Sequence, residues 1–377
     1  MSKILLSVVV PARNEFPNIV HTVYSLWHCW EADGFDLRDI EIIIVDNCSD
    51  DDIYPQRGTK GTTSYLIPRG GFYNRAIQVL KDPIAGNHSA RNKGARIAKG
   101  EYLFFTDAHM AYKPGFFKYM LETIDETKGL FHGVIGWMGA YPPTPSGLGY
   151  GYTLKLGEEW KGTWNNYCLD TEKWFYIISL GHCSVGVRRD QFLEFGGYPD
   201  IHRTYGGGEL YMDIKWWMFG SSVAVHPKAI GYHLASGRGY TYDHDDYIEN
   251  VLGCCYALSC DDWRERAYLN WLRKGRKEIL DAIMTRNEKE YAKDRAFIKK
   301  KRKNTFNELL TKRPWDAMNE SRLGKSNGHI SIFQDTWLDL LKQAPEYVQE
   351  AYNNSKYQKQ LAEFIDTNLS EYVYKRR

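Results

Sequence analysis

An acid and an imidazole two residues apart, Asp107 and His109, close the stretch G-E-Y-L-F-F-T-D-A-H at residues 100–109. Residues 102–106 are aromatic or apolar up to a terminal Thr and read as a short buried strand. A carboxylate and an imidazole at the mouth of such a strand can share one divalent cation. Carboxylate oxygen suits Mn²⁺ or Mg²⁺, and the imidazole favours Mn²⁺. The same residues also suit a turn with a satisfied Asp and a surface His. A second carboxylate, Glu209, follows three glycines at 206–208, which let backbone approach a ligand closely. Glu209 opens a predicted helix that also carries Asp213, and the two form the candidate catalytic acid set.

These groups need a frame. Residues 3–10 read as a strand closed by Pro11, followed by the polar loop A-R-N-E with Asn14 and Glu15. Residues 19–30 carry helical spacing, and residues 40–45 form a second strand ending in D-N-C-S-D-D-D. Two β-α steps that each end in a polar loop predict an α/β, doubly wound, mostly parallel sheet, with ligands outside the carboxyl ends of its strands. Asp46, at the end of the second strand, stands where such sheets hold a ribose or base. Residues 65–68 are a candidate third strand, with a weak phosphate-loop signal at Gly70 and Gly71. Residues 87–99 read as a helix made basic by Arg91, Lys93, Arg96 and Lys99, whose N-terminus and guanidinium groups suit a diphosphate or simply face water. A helix is expected over 113–127, a strand over 134–138, strand-turn-strand over 177–188, and two strand pieces, 223–225 and 230–232, about Pro227. His233 ends the second piece. Trp160 and Trp164, near Glu158 and Glu159, suit an acceptor sugar face or the core. Residues 238–246 lack an apolar pattern and read as a lid.

The segments S-V-V-V-P-A-R-N-E, I-I-I-V-D-N-C-S-D-D, S-A-R-N-K-G-A-R-I-A-K-G-E-Y-L-F-F-T-D-A-H, then G-G-G-E and G-Y-H, occur in that order over about residues 4–235. Together they resemble a GT-A-fold glycosyltransferase of the family 2 type. The D-A-H triplet and later G-Y-H are similar to the polypeptide N-acetylgalactosaminyltransferase branch. The resemblance implies a nucleotide-sugar donor, a UDP-sugar in that branch's pattern, and a metal held by Asp107, His109 and His233. It implies donor contacts from Pro11, Ala12, Arg13 and Glu15 against the uridine, Asp46 on the nucleoside, and Arg91, Asn92 and Asp107 near the diphosphate. Glu209 falls where inverting members carry the acceptor base. The usual acid pair after the glycines is Gly-Glu-Leu here, so inversion or retention stays open.

The chain of 377 residues has 12 Trp, 27 Tyr and a net charge of +2. Its seven cysteines are scattered without C-x-x-C spacing, which supports neither a zinc site nor a disulfide framework. No signal peptide pattern and no run of about 18 apolar residues is present, so a cytoplasmic protein without a membrane span is expected. We divide the chain into a catalytic domain at 1–240, a basic helical extension at 241–323 and a C-terminal helical segment at 324–377. Between Arg264 and Lys303, fifteen Lys and Arg face six Asp and Glu, with Tyr268, Trp271, Tyr291 and Phe297 interleaved. Such a segment, 263–303, suits DNA or a solvated helix pair. The acceptor is therefore a saccharide or, as in phage DNA modification, a hydroxymethylated base. A nucleic-acid-binding protein on a degenerate transferase domain is the alternative of a different class.

Overall fold

The computed structural model describes residues 3–50, 52–54, 59–60, 77–83, 85–139, 146–155, 161–234, 241–273, 277–326 and 332–333. The expected doubly wound sheet is present. Strand β1 (Leu6–Ala12) lies between β2 (Ile40–Asn47) and β6 (Tyr102–Thr106), parallel to both. All three are apolar and buried almost throughout, as strands covered on both faces must be. The short pair β3 (Asp52–Tyr54) and β4 (Thr59–Lys60) stands apart. The third strand expected at 65–68 lies outside the described residues; the parallel neighbour beyond β2 is β5 (Ile77–Asp82). Its sequence I-Q-V-L-K-D is half polar, because it is an edge strand.

Helix α1 (Asn18–Ala32) follows β1, and α2 (Asn87–Ile97) packs on β1 and β2. Gly94 makes the second contact possible, since a Cβ there would sit 2.4 Å from Val9 Cγ1. After β6 come β7 (Met110–Tyr112), α3 (Phe116–Thr127) and β8 (Leu130–Met138). Strand β13 (Ser184–Arg188) inserts antiparallel between β6 and β8. Strand β14 (Val223–Leu234) then pairs parallel with β8. It is one strand, not two pieces: the ladder shifts register between His226 and Ile230 around Pro227, which has no N–H to donate. The antiparallel pair β10 (Gly151–Lys155) and β11 (Lys161–Asn165) follows β9 (Ser146–Gly149), an edge partner of β8. The first half of the expected strand-turn-strand, from residue 177, is not a strand; the two-residue β12 (Phe175–Tyr176), paired with β14, lies just before it.

Helices α4 (Arg189–Glu194) and α5 (Gly208–Met218) cover the sheet, and α5 is buried nearly all round. The C-terminal region is helical as expected: α6 (His244–Ala257), α7 (Asp261–Arg273), α8 (Lys277–Glu290), α9 (Ala292–Lys301), α10 (Phe306–Lys312) and α11 (Pro314–Leu323). One hydrophobic cluster runs from Leu6 to Trp315. The interleaved aromatics of the basic segment belong to it: Trp271 and Tyr291 are buried, and Phe297 and Tyr268 pack against the cluster. Trp271 and Tyr291 are core rings, not part of a stacking platform for bases. The helical spacing expected beyond residue 330 is corrected at β15 (Ile332–Phe333), which adds to β10.

Candidate functional site

The cleft opens at the carboxyl ends of β1, β2 and β6, where backbone groups run out of sheet partners. Two loops are latched there. Asn14 takes a left-handed conformation, φ 56°, which a short polar side chain tolerates. Its side chain donates to Asp50 Oδ1 at 2.7 Å and accepts from Asp50 N at 2.9 Å. Asp46 is buried at the end of β2 and accepts from Ser49 N at 3.2 Å, while its neighbour Asn47 lines the cleft. Pro11, Ala12, Arg13 and Glu15 also line it.

The D-A-H turn is pinned from below by α1. Thr22 Oγ1 donates to the Ala108 carbonyl at 2.8 Å and accepts from Met110 N at 2.9 Å. Pairing of β7 with β14 then puts His233 opposite Met110, and Leu234 N donates to the His109 carbonyl at 3.1 Å. Two histidines 124 residues apart thus meet, with Nε2 to Nε2 at 3.2 Å. Asp107 Oδ2 lies 3.5 Å from His233 Nε2. Two imidazole lone pairs and a carboxylate converging on one point fit a divalent cation. At ligand bonds of about 2.1 Å, the 3.2 Å separation corresponds to an angle of roughly 100° at the ion. Glu15 Oε1 lies 3.1 Å from His109 Nδ1, the carboxylate–histidine arrangement that orients a ligand ring.

Arg91, on α2, is almost wholly buried and reaches Asp107 Oδ1 at 2.8 Å and the His182 carbonyl at 2.9 Å. Burial pushes the Asp107 carboxyl up, but the His233 hydrogen bond and the Arg91 charge outweigh it and hold the group well below its usual range. It stays ionised, as a ligand must. Gly206 and Gly207, at φ 106° and 78°, turn the chain into α5, and Glu209 in its first turn faces the cleft. Burial raises the Glu209 pKa, against the opposing effects of the Arg91 charge and the His182 backbone.

Trp164 lines the opposite wall with Trp137, Tyr152 and Tyr205. Trp137 stands edge-on to both Trp164 and His233, each at 5.3 Å between ring centres. Trp137, Tyr152, Tyr205 and His182 went unnoticed in the sequence. A tryptophan ending a strand beside the metal pair has no spacing signal of its own. The cleft holds about 430 Å³, within the range of small-molecule sites.

Three expectations are corrected. Asn92 faces away from the cleft, with its amide bonded to Tyr198 O at 2.7 Å and Asp200 Oδ1 at 2.8 Å. Asp213 is fully buried beneath the cleft, surrounded by His132, His182, Ser179 and Leu180 N. The expected lid ends early, because Asp243 caps α6 through Asp245 N and residues 244–246 are its first turn. Trp160 and residues 238–240 lie outside the described residues. No helix among the described residues is long and apolar enough to cross a membrane.

Residues 7–141 match the family described as "Glycosyl transferase family 2". Polypeptide N-acetylgalactosaminyltransferase 3 of Drosophila melanogaster is 24% identical over 238 residues, which is 59% of this chain and 35% of that protein. An uncharacterized glycosyltransferase of Haemophilus influenzae is 22% identical over 204 residues, 53% of this chain and 58% of that one. The chain spans 35–40% of the length of the first two fly transferases it matches. The crystal structure of GalNAc-T7 with UDP, GalNAc and Mn²⁺ superposes with a TM-score of 0.60 at 17% identity, covering 78% of this chain and 57% of that one.

Proposed function

We propose, for a chain that carries a GT-A-fold glycosyltransferase domain of the family 2 type, that the cleft transfers a sugar from a nucleotide-sugar donor, a UDP-sugar, to an acceptor hydroxyl. The observation that carries this reading is the convergence of Asp107, His109 and His233 beside the buried Arg91. A structural neighbour holds UDP and Mn²⁺, and the matched relatives are sugar transferases. Bound there, Mn²⁺ or Mg²⁺ would supply positive charge to the diphosphate leaving group. Asp107, His109 and His233 would hold the ion, and Glu15 would orient His109. Arg91, fixed by Asp107 and the His182 carbonyl, presents its guanidinium edge to the diphosphate without reorganising. Pro11, Ala12, Arg13 and Asp46 hold the nucleoside half.

Glu209 takes the proton from the acceptor hydroxyl as oxygen attacks the anomeric carbon and the nucleoside diphosphate leaves. Its raised pKa makes it a better base than an exposed carboxylate. Trp137 and Trp164 seat the acceptor by an apolar ring face and keep water from the sugar. That wall favours a saccharide acceptor over a DNA base, since Trp271 and Tyr291 of the basic segment are buried. The experiment is a panel of UDP-sugars with Mn²⁺, with oligosaccharides and hydroxymethylated DNA offered in parallel. Release of UDP from one sugar, accelerated by a saccharide, is the expected result. No release from any donor would overturn the reading, and acceleration by DNA alone would reassign the acceptor.

A further inference from the structure

Beneath the cleft lies a second carboxylate–histidine cluster, His132, His182 and Asp213, wholly buried. Asp213 Oδ1 meets His132 Nε2 at 3.0 Å and His182 Nε2 at 3.1 Å. Its other oxygen accepts from Ser179 Oγ at 2.6 Å and Leu180 N at 3.3 Å. Four donors around one carboxylate are what a buried negative charge requires. Both imidazoles therefore carry the proton on Nε2. The free nitrogen of His182, Nδ1, then accepts from Tyr198 Oη at 2.7 Å. His182 is neutral, its pKa pushed down to about 4 by burial despite the neighbouring Asp213, while the two imidazoles hold Asp213 ionised.

His182 faces three ways. Its ring is held by Asp213, its carbonyl receives Arg91, and it lines the cleft beside Glu209, whose charged form its backbone favours. Glu209 and Asp213 are four residues apart on α5, so they lie on one helix face, one turn above the other. The segment 179–182 is clamped between them. It cannot shift without uncovering a buried charge, and any shift moves the groups that set Glu209 and Arg91.

We propose that Asp213, acting through His182, is the positioning residue that holds Glu209 and Arg91 in working geometry at the cleft. The proposal rests on the transferase reading above and adds the mechanism by which its base is aimed. Asp213 touches no substrate. Asp213→Asn keeps the shape but cannot satisfy all four donors, because its NH₂ must face either the two imidazole N–H groups or Leu180 N–H.

The test is a double-mutant cycle on kcat for sugar transfer, using Asp213→Asn, Glu209→Gln and both together, with far-ultraviolet circular dichroism to confirm folding. We expect Asp213→Asn to lower kcat at least tenfold with donor KM changed less than threefold. In the double variant the Asp213→Asn step should cost less than it does in the wild type, because Glu209 is already lost and only the placing of Arg91 remains to be disturbed. Multiplicative losses would mean a general structural role and overturn the proposal, as would wild-type kcat in Asp213→Asn. If Asp213→Asn does not fold, Ser179→Ala removes one donor and enters the same cycle. A wild-type protein with no transfer at all would sink the transferase reading itself. Independently of turnover, ¹⁵N-histidine NMR should show His132 and His182 as Nε2–H tautomers. One chelator-resistant metal per chain, lost in Asp213→Asn, would make the cluster a cation site and overturn the proposal.

Discussion

Among its described residues the protein holds two clusters of the same composition, one carboxylate and two histidines, in opposite surroundings. Asp107, His109 and His233 keep 25%, 20% and 21% of their side chains exposed at the cleft. Asp213, His132 and His182 keep none. In the cleft, two imidazole Nε2 atoms face each other at 3.2 Å, a geometry that calls for a shared proton or a cation. In the core, both Nε2 atoms face a carboxylate that also takes two further donors, and the polar groups satisfy one another. The residue types are equal; access and the direction of the lone pairs decide which cluster is built to take a cation and which is satisfied within itself.

The sharpest way to break this contrast is to cut one ligand from each cluster. His233→Ala should reduce sugar transfer with Mn²⁺ by a hundredfold or more, since losing even an outer partner costs about 10–100-fold at a metal site. Its melting temperature without metal should stay within a few degrees of wild type. Asp213→Ala should do the reverse in stability. Leaving a buried donor unpaired costs about 1–3 kcal/mol, and this variant leaves several, read as a fall in the urea midpoint. If His233→Ala melts as low as Asp213→Ala, the two clusters do not differ as argued.

Acid sharpens the comparison. The pKa of His182 is pushed down to about 4 and that of His202 to about 3, both chiefly by burial. Folded imidazoles with depressed pKa values stay neutral while the unfolded chain binds protons below about 6.5. The unfolded state thus holds more protons between about pH 6.5 and 4, and stability falls as pH is lowered through that window. Each such imidazole adds about 1.4 kcal/mol per pH unit to the slope. Urea titrations at pH 7, 6 and 5 should show this fall, and His202→Phe should flatten it. A stability flat from pH 7 to 5 would contradict the burial account.

The contrast was only half legible in the sequence. Strands β1, β2 and β6 announce themselves because buried parallel strands are continuous apolar runs, and Asp107 and His109 sit together at the end of one. The third member, His233, came from resemblance to known transferases, since only the β7–β14 pairing brings it near. The buried cluster had no such signal. Its residues lie on β8, on the turn before β13 and on α5, separated by 81 and 31 positions. Asp213 was read as catalytic because it follows Glu209 by one helical turn, and one turn is enough to pass from cleft to core. The basic segment misled for a related reason: spacing cannot tell a ring that faces water from one that faces the core, and Trp271 and Tyr291 face the core.

Smaller effects are expected away from both clusters. Trp164→Ala should raise the acceptor KM about three- to tenfold with little change in donor KM, the scale of losing one aromatic contact. An equal rise in both would move Trp164 from the acceptor to the donor side. Lys299→Gln with Lys300→Gln, both exposed at the end of α9, should leave transfer to a saccharide and the urea midpoint unchanged within about 0.5 kcal/mol. A marked loss of transfer would tie the basic segment to the acceptor.

The most direct measurement is a Mn²⁺ titration followed by electron paramagnetic resonance, with and without UDP, on wild type, His109→Ala and His233→Ala. The account predicts one saturable Mn²⁺ per chain, bound more tightly when UDP is present and at least tenfold more weakly in either variant. Saturable binding that neither substitution alters, or no saturable binding in the wild-type protein, would contradict it.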